Sequence, residues 1–465
     1  MPYVLGVHLG ATTTSAAVAR RDDGKWGGAA PFPLGSASPA VPTVLCRVQD
    51  GTFMAGEAAQ RQEPAHHEWV ARSFVHQVGD ESPLMVGSEF VTAHRLAAVM
   101  IEWVADAVAH RQGHPAEHIT VTHSATWGPH RRHLVSLELK QLGLHDVTLV
   151  PEPLAVVLDY STQQGLSGHG VSDGGVLAIG NMGGSSFDAT VLRRQTDSEP
   201  FGFEMLGSPL DGAHPSGRSL DDVVFDHVCS ELAPGLEDLD PAEPRTRVSL
   251  LQLRAECARV KEVLSHQPDA TARVELPELR TQVALSRAHY EQLARDHLER
   301  VPELLQQVTQ SALTGSQEPD GIVLAGGAAR TPLLRQLVTQ QLQQQAQVDG
   351  APELVAARGA ALAAVRIVSA ASDRSTVAET SVLMRVEGSE QDQDDLEVLD
   401  TNLPPAPRPP VEVEPMVVEP PVENRTFKVI KLSAAALLVI FGLVLTFAQG
   451  WSEPHNSRPG MVQQK

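Results

Sequence analysis

Residues 3–20, YVLGVHLGATTTSAAVAR, and residues 176–192, VLAIGNMGGSSFDATVL, are two versions of one plan. In the first, Val4, Leu5 and Val7 form an apolar run that stops at Gly10. Four hydroxyl residues, Thr12, Thr13, Thr14 and Ser15, follow before Ala16, Ala17 and Val18 resume the run. In the second, Val176, Leu177 and Ile179 lead to Gly183, Gly184, Ser185 and Ser186, and the chain returns through residues 187–192. Each reads as a strand, a tight polar turn and a second strand. Turns of glycine and small hydroxyl residues let backbone N–H groups come close to an anion. Gly10, Ala11, Thr12 and Thr13 in one turn, and Gly183 to Ser186 in the other, are therefore candidate phosphate-clamping residues. A chain that carries this hairpin twice is expected to fold as two like halves facing each other across a cleft.

A third stretch, residues 321–334 (GIVLAGGAARTPLL), is an apolar strand running into Gly326 and Gly327, then Ala328 and Arg330. Thr331 and Pro332 suit the N-cap and first position of a helix. A glycine pair between strand and helix lets a base or ribose lie against bare backbone.

These stretches, in this order and roughly this spacing, resemble the phosphate-one, phosphate-two and adenosine motifs of the actin, sugar-kinase and heat-shock-chaperone ATPase superfamily. Residues 150–160 (VPEPLAVVLDY) and 352–364 (PELVAARGAALAA) are similar to its two interdomain helices. Within it, the ATPase domain of DnaK-type chaperones is the best match. Its EPxAA, GGGTFD and GGxxRxP patterns are echoed by Glu152 and Pro153, by Gly183 to Asp188, and by Gly326 to Pro332. Five ordered motifs are far more specific than one. The resemblance covers residues 1–370. It implies an α/β, duplicated, two-lobed actin-like ATPase fold with a central cleft, and ATP or ADP as ligand.

By the same resemblance, residues 250–265 (LLQLRAECARVKEVLS) are the nucleotide-gripping helix, with Lys261 and Ser265 where the family touches adenosine. Lys261 equally fits an ordinary solvated helix lysine. Ala258 and Glu262 depart from the family's acidic and basic residues there, which implies a looser adenine grip. Arg330 and Glu353 complete the set of expected nucleotide-binding residues.

The positions that carry chemistry in this family are mostly replaced. Phosphoryl transfer needs a divalent cation on the phosphates, a group that orients water and positive charge for the transition state. The acidic residue that ends the family's first strand and holds the hydrated cation corresponds here to His8. The acidic residue that opens its second phosphate motif is Asn181, and its catalytic lysine, counted back from Gly79 in FVHQVG, is Val75. An imidazole is a poor partner for a magnesium hydration shell, and an amide takes no proton near neutral pH. Glu152 and Asp188 remain as candidate catalytic carboxylates. Magnesium binding, if retained, is expected to be weakened.

A net charge of −21 argues against nucleic-acid binding, which needs clustered Lys and Arg. Cys46, Cys229 and Cys257 have no metal-ligand spacing and read as buried thiols of a reducing compartment. His110, His114 and His118 have helical spacing, but Gly113 and Pro115 interrupt it. Leu96, Val99, Met100, Trp103 and Val104 fall on one helical face and predict core packing. Residues 119–127 (ITVTHSATW) are expected to form a buried strand with its crossover.

The composition changes near residue 371. Residues 387–424 carry eleven acidic residues, one basic residue and eight prolines. Such a segment buries too little surface to offset chain entropy, so residues 371–428 are expected to form a disordered linker. They are too few and too polar for the chaperone's peptide-binding sandwich. Residues 432–448 (LSAAALLVIFGLVLTFA) hold no charge, and at 1.5 Å per residue span roughly 26 Å. A transmembrane helix is expected over residues 429–449, with an exterior tail at 450–465. Arg425, Lys428 and Lys431 precede the run more densely than Arg458 and Lys465 follow it, which puts the N-terminal domain in the cytoplasm, on the plasma membrane. The absence of a basic segment before the first strand agrees.

Three functions stay open at this stage. One is a membrane-tethered, nucleotide-dependent switch or chaperone-like regulator with weak hydrolysis. A second is a working ATPase that uses Glu152 or Asp188 to organise the cation. A third is a scaffold that binds no nucleotide and recruits a protein partner through its acidic, proline-rich linker.

Overall fold

The structure is a computed structural model that describes residues 1–384 apart from residues 167–170, 198–199, 213–214, 237–238, 241–242, 278 and 315–316. All of the described residues lie in one unit, Met1–Gly388. The expected apolar span and tail, and the linker from residue 385, lie outside the described residues.

The first lobe begins with the antiparallel hairpin β1 (Tyr3–Leu9) and β2 (Thr13–Asp22). Helix α1 (Ala93–Gln112) leads to β3 (Ile119–His123), which pairs in parallel with β1. Helix α2 (Pro129–Gln141) leads in turn to β4 (Val147–Pro151), parallel to β3, and the helix α3 (Glu152–Leu166) closes the lobe. The second lobe repeats this order. β5 (Val176–Met182) and β6 (Phe187–Arg194) form an antiparallel hairpin, extended by β7 (Phe203–Gly212). After helices α4 (Gly217–Glu231) and α5 (Pro244–Leu264), β8 (Gly321–Ala325) pairs in parallel with β5. Helix α6 (Pro332–Leu342) precedes β9 (Ala346–Val348), parallel to β8, and α7 (Val355–Met384) ends the lobe. The strand orders β4-β3-β1-β2 and β9-β8-β5-β6 are the same pattern, so the duplication read from the hairpins extends through both sheets.

Each lobe has its own core. In the first, Leu5, Val7, Leu96, Met100, Ile101 and Val104 meet, so the apolar stripe expected in α1 faces inward. In the second, Phe187, Val224, Leu253, Cys257, Val260 and Leu305 do the same. The two closing helices join the lobes. Leu154, Val157 and Leu158 of α3 pack with Leu177, Ile179 and Val323 of the second sheet. Ala357 and Ala361 of α7 pack on Ala17 of the first.

Small residues make that exchange possible. A Cβ on Gly6 would collide with the backbone of Ala357 and Ala361, and one on Gly359 would reach within 2.9 Å of Ala155 Cα. Strand and helix, and helix and helix, therefore meet with no side chain between them. The window Val355–Ser372 of α7 is long and apolar enough to cross a membrane, with mean hydropathy 1.4. Ala357, Ala360, Ala361, Ala363 and Ala364 are nevertheless fully buried against the rest of the domain, so its apolar face is a core face. This helix also carries regular backbone through residues 371–384, which the composition change had placed in the linker.

One local expectation needs correcting. Thr13, Thr14 and Ser15 belong to β2 rather than to the turn, which shrinks to residues 10–12. Thr14 and Ser15 are fully buried and find partners, Thr14 Oγ1 at 2.8 Å from Thr43 Oγ1 and Ser15 donating to the Glu353 carbonyl at 3.4 Å. A β-branched residue with a satisfied hydroxyl suits a buried strand as well as a turn. Helix α3 likewise starts at Glu152, with Val150 and Pro151 still in strand.

Candidate functional site

The first turn is tied down by its own backbone and by a neighbouring strand. Gly10 N–H donates to Thr13 O at 3.1 Å, Thr43 N–H to Thr12 O at 2.8 Å, and Thr43 Oγ1–H to Gly10 O at 2.7 Å. These bonds fix Gly10, Ala11 and Thr12 between β1 and β2, with Thr13 opening the second strand. The second turn repeats the scheme: Gly183 N–H donates to Ser186 O at 2.9 Å. Behind it, Gly217 and Arg218, the first residues of α4, donate to Gly183 O and Gly184 O at 2.9 and 2.8 Å. Ser186 also donates to Asp188 Oδ2 at 3.3 Å.

The turns come together across the two lobes. A Cβ on Gly184 would stand 2.6 Å from Thr12 Cγ2, so only a glycine lets the Thr12 side chain lie where it does. The lobes are bridged again beside this contact by a bond of 2.7 Å between His76 Nε2 and Ser185 Oγ. Arg218 Nη2 adds a donation to Ser73 Oγ at 3.2 Å.

Behind the turns, three residues from three different elements converge. Glu152, first residue of α3, accepts from Asn181 Nδ2 of β5 at 3.0 Å through Oε1. The same oxygen lies 3.5 Å from His8 Nδ1 of β1, whose nearer partner is Thr122 Oγ1 at 2.9 Å. The Glu152 and His8 side chains are only 14% and 15% exposed. The two positions where the resemblance expects a cation-holding and a motif-opening acid, His8 and Asn181, therefore carry nitrogen-bearing side chains that lie against Glu152. Asn181 Oδ1 is buried with no hydrogen-bond partner.

The third stretch, residues 321–334, takes the strand, glycine turn and helix start expected from its sequence. Gly326 takes φ +85°, and a Cβ there would press on Asn181 Oδ1 at 2.7 Å. A short 3-10 turn, Gly327–Arg330, leads to Thr331 at the N-cap of α6 and Pro332 in its first turn. Ala328, within that turn, is buried. Arg330 makes a two-pronged ion pair with Glu353, at 2.9 and 2.6 Å. A groove of about 800 Å³ opens beside Arg330, also lined by Ser265, His266, Thr331, Arg335 and Asp349. Ser265 caps α5 and its Oγ lies 3.5 Å from Lys261 O.

Lys261 has a definite post inside the second lobe. Its Nζ is 2.6 Å from Asp221 Oδ1 and donates to Gly217 O at 3.0 Å, so it braces the start of α4 behind the second turn. Burial pushes the Asp221 carboxyl up, against the opposing pull of Lys261. Val75 packs against the first lobe's core, and it is His76, one residue on, that reaches the other lobe. The sequence signal for this was slight: two adjacent polar residues, His76 and Gln77, within FVHQVG, whose 3-10 turn (Phe74–Gln77) decides which residue faces out.

A comparison with protein families matches the Hsp70 protein model to residues 56–387. The chain belongs to the Hsp70 family. Among curated proteins it is 24% identical over 351 residues to "Chaperone protein DnaK" of Elusimicrobium minutum (strain Pei191), covering 73% of this chain and 53% of that protein. It is 24% identical over 393 residues to "Chaperone protein dnaK" of Cyanidioschyzon merolae (strain NIES-3377 / 10D), covering 78% of this chain and 62% of that protein. The chain thus spans between half and two thirds of the length of these relatives. Its paired sheets and exchanged helices are the actin-like fold of this Hsp70 domain.

The magnesium expected of such a domain does not fit the groups in place here. Magnesium takes oxygen ligands in near-ideal octahedral geometry and keeps several waters. In this Hsp70 site the groups around Glu152 are an imidazole and an amide, and Glu152 Oε1 is already accepting from Asn181. Among the described residues no group of three or more His, Cys, Asp or Glu side chains is placed to hold a metal ion.

Proposed function

We propose that this Hsp70-family domain binds ATP or ADP between its lobes and serves as a nucleotide-dependent, chaperone-like switch that hydrolyses slowly or not at all. The observation that carries this reading is the Thr12–Gly184 contact, which brings two amide-lined turns from opposite lobes to one place. A ligand seated there would touch both lobes, so its affinity would differ between open and closed arrangements, and that difference is what drives a switch. The glycine and hydroxyl turns are kept, while His8, Asn181 and Val75 stand where the resemblance expects two acids and the catalytic lysine. The groove beside Arg330 and Ser265 offers room for the adenosine end.

The reading extends to a tether. The uncharged run at residues 432–448 would hold the domain at the cytoplasmic face of a membrane, and the acidic, proline-rich residues 387–424 would present it to a protein partner. Recovery of the full chain in the membrane fraction, lost on deletion of residues 429–465, is the expected result.

Calorimetric titration of the full chain with ATP and ADP tests the nucleotide claim, and steady-state phosphate release tests the hydrolysis claim. Binding with release at background, unchanged in Glu152→Ala, is expected. Release that falls on that substitution would favour the working ATPase, in which Glu152 and Asp188 organise the chemistry. Failure of ATP to raise the melting temperature would favour the scaffold.

A further inference from the structure

The cleft holds a second message, written in nitrogen rather than oxygen. His8 lies against the first turn: a Cβ on Gly10 would stand 2.9 Å from His8 Nε2. The other ring nitrogen, Nδ1, lies 2.9 Å from Thr122 Oγ1. When Nδ1 accepts the Thr122 hydroxyl proton, the ring is left with Nε2–H as a donor beside the turn. His76, from the same lobe, puts its Nε2 at 2.7 Å from Ser185 of the second turn. Two imidazoles thus stand one at each turn, where an anion's oxygens would be received.

Glu152 is occupied from behind. Glu152 accepts from Asn181 at 3.0 Å, and Asn181 itself is 92% removed from solvent, with its Oδ1 unpartnered beside Gly326. Such an oxygen calls for a donor, such as a hydroxyl or a water brought in with a ligand. A hydrated divalent ion would instead meet a ring nitrogen and an amide where it needs acids.

Building on the nucleotide reading above, we propose that this site takes the triphosphate or diphosphate tail without a divalent cation. His8 donates to a phosphate oxygen alongside the amides of the two turns, and His76 holds Ser185 in the second turn through its 2.7 Å bond. An imidazole N–H bonded to a charged oxygen belongs to the stronger class of hydrogen bonds, and here it replaces the bridge that a metal provides. Glu152 becomes a positioning residue: it holds Asn181 and lies 3.5 Å from His8 Nδ1 rather than facing a metal's water shell.

The test is calorimetric titration of the full chain with ATP, once in excess magnesium and once after chelation with EDTA. The two dissociation constants are expected to agree within about twofold, and His8→Ala to weaken both by about tenfold, the worth of one hydrogen bond to a charged group. His8→Gln, which keeps an N–H, is expected to recover part of that loss. The double variant His8→Asp with Asn181→Asp is expected to need magnesium, losing at least about tenfold in affinity on chelation. Melting curves of each variant establish that it is folded. Binding of the unmodified chain only with magnesium overturns this inference while leaving the nucleotide reading intact. Absence of binding under both conditions overturns both. A double variant that remains indifferent to magnesium removes His8 and Asn181 from the account.

Discussion

Arg358 and Asp159 form a two-pronged ion pair, at 2.9 and 2.6 Å, between the two helices that exchange lobes. Their side chains are 12% and 6% exposed, and Asp349 reaches the same guanidinium at 3.1 Å. Gln163 adds a donation to Asp159 Oδ2 at 2.8 Å. Burial pushes the Asp159 carboxyl up, with Arg358 pulling against it. Asp159 lies one helical turn from Ala155 and Arg358 is adjacent to Gly359, so charge and close packing act on the same crossing.

Removing one partner leaves a buried charge alone, which typically costs about 3–5 kcal/mol. Arg358→Met, which orphans Asp159, is expected to fall in that range by urea unfolding of the full chain, and Asp159→Leu to cost less, because Asp349 still pairs with Arg358. The double variant Arg358→Met with Asp159→Leu is expected to lose less than the two singles summed, because no orphaned charge remains at Asp159.

Gly184→Ala bears on the meeting of the two turns. The added methyl would stand 2.6 Å from Thr12 Cγ2 and 2.8 Å from Thr12 Cβ, so the lobes must part or Thr12 must rotate away. Nucleotide affinity is expected to fall by about tenfold or more, the result of a misplacement of a few tenths of an ångström at a shared site. Combining it with Thr12→Ala removes the obstructing Cγ2 and Oγ1 and is expected to return part of the affinity. Titration calorimetry reads both.

Gly359, where an added Cβ would overlap the Ala155 backbone, should tolerate substitution poorly. A methyl on Gly359 cannot avoid the Ala155 backbone, and overpacking a tight core costs about 1–3 kcal/mol or more. Gly359→Ala is expected to lower the melting temperature more than Gly113→Ala. Gly113 caps α1 with φ +83° but has nothing within reach of an added Cβ, so its penalty is backbone strain alone.

Acid should weaken the first lobe through His123. Its ring stacks on Trp127 at 5.7 Å, its Nδ1 donates to Ser124 O at 2.7 Å, and burial pulls its pKa down to about 4. The folded form therefore keeps the ring neutral while the unfolded chain takes up a proton from about pH 6.5 downward. The contribution is whole above pH 6.5, shrinks as pH falls, and by about pH 4 has lost on the order of 3 kcal/mol. His118, shifted down by burial as well, acts in the same direction. Urea midpoints measured across this range should fall with pH, and His123→Phe should flatten the slope.

The thiol of Cys257 is buried and pushed up to about 12, first by burial and then by neighbouring acidic groups. Its labelling by a thiol reagent at neutral pH is expected only on unfolding, with Cys229, half-buried, reacting sooner. Mass-resolved labelling against time distinguishes the two.

Much of the site was legible because it is made of backbone. Glycine and small hydroxyl residues at Gly10–Thr12 and Gly183–Ser186 announce tight turns wherever they occur between apolar runs. Gly326 and the Thr331–Pro332 pair likewise mark a strand end and a helix start by local rules. Side-chain roles were harder to read. Whether Val75 or His76 faces the cleft depends on the phase of one 3-10 turn, and Lys261 could not be placed without knowing that Asp221 stands opposite it. The boundary of β2 shifted for the same reason, since Thr14 pairs through its backbone with Leu9 and Val41 and its buried hydroxyl meets that of Thr43.

The order of residues along the chain settled which segments turn, which extend and which coil, and that the plan occurs twice, since these follow from steric preference and apolar period within a few residues. Folding alone decided what meets across that plan: Thr12 with Gly184, Glu152 with Asn181, Arg358 with Asp159. Such pairs are far apart in sequence, and each forms only because two sheets and two exchanged helices close around it, at distances that neither partner encodes by itself.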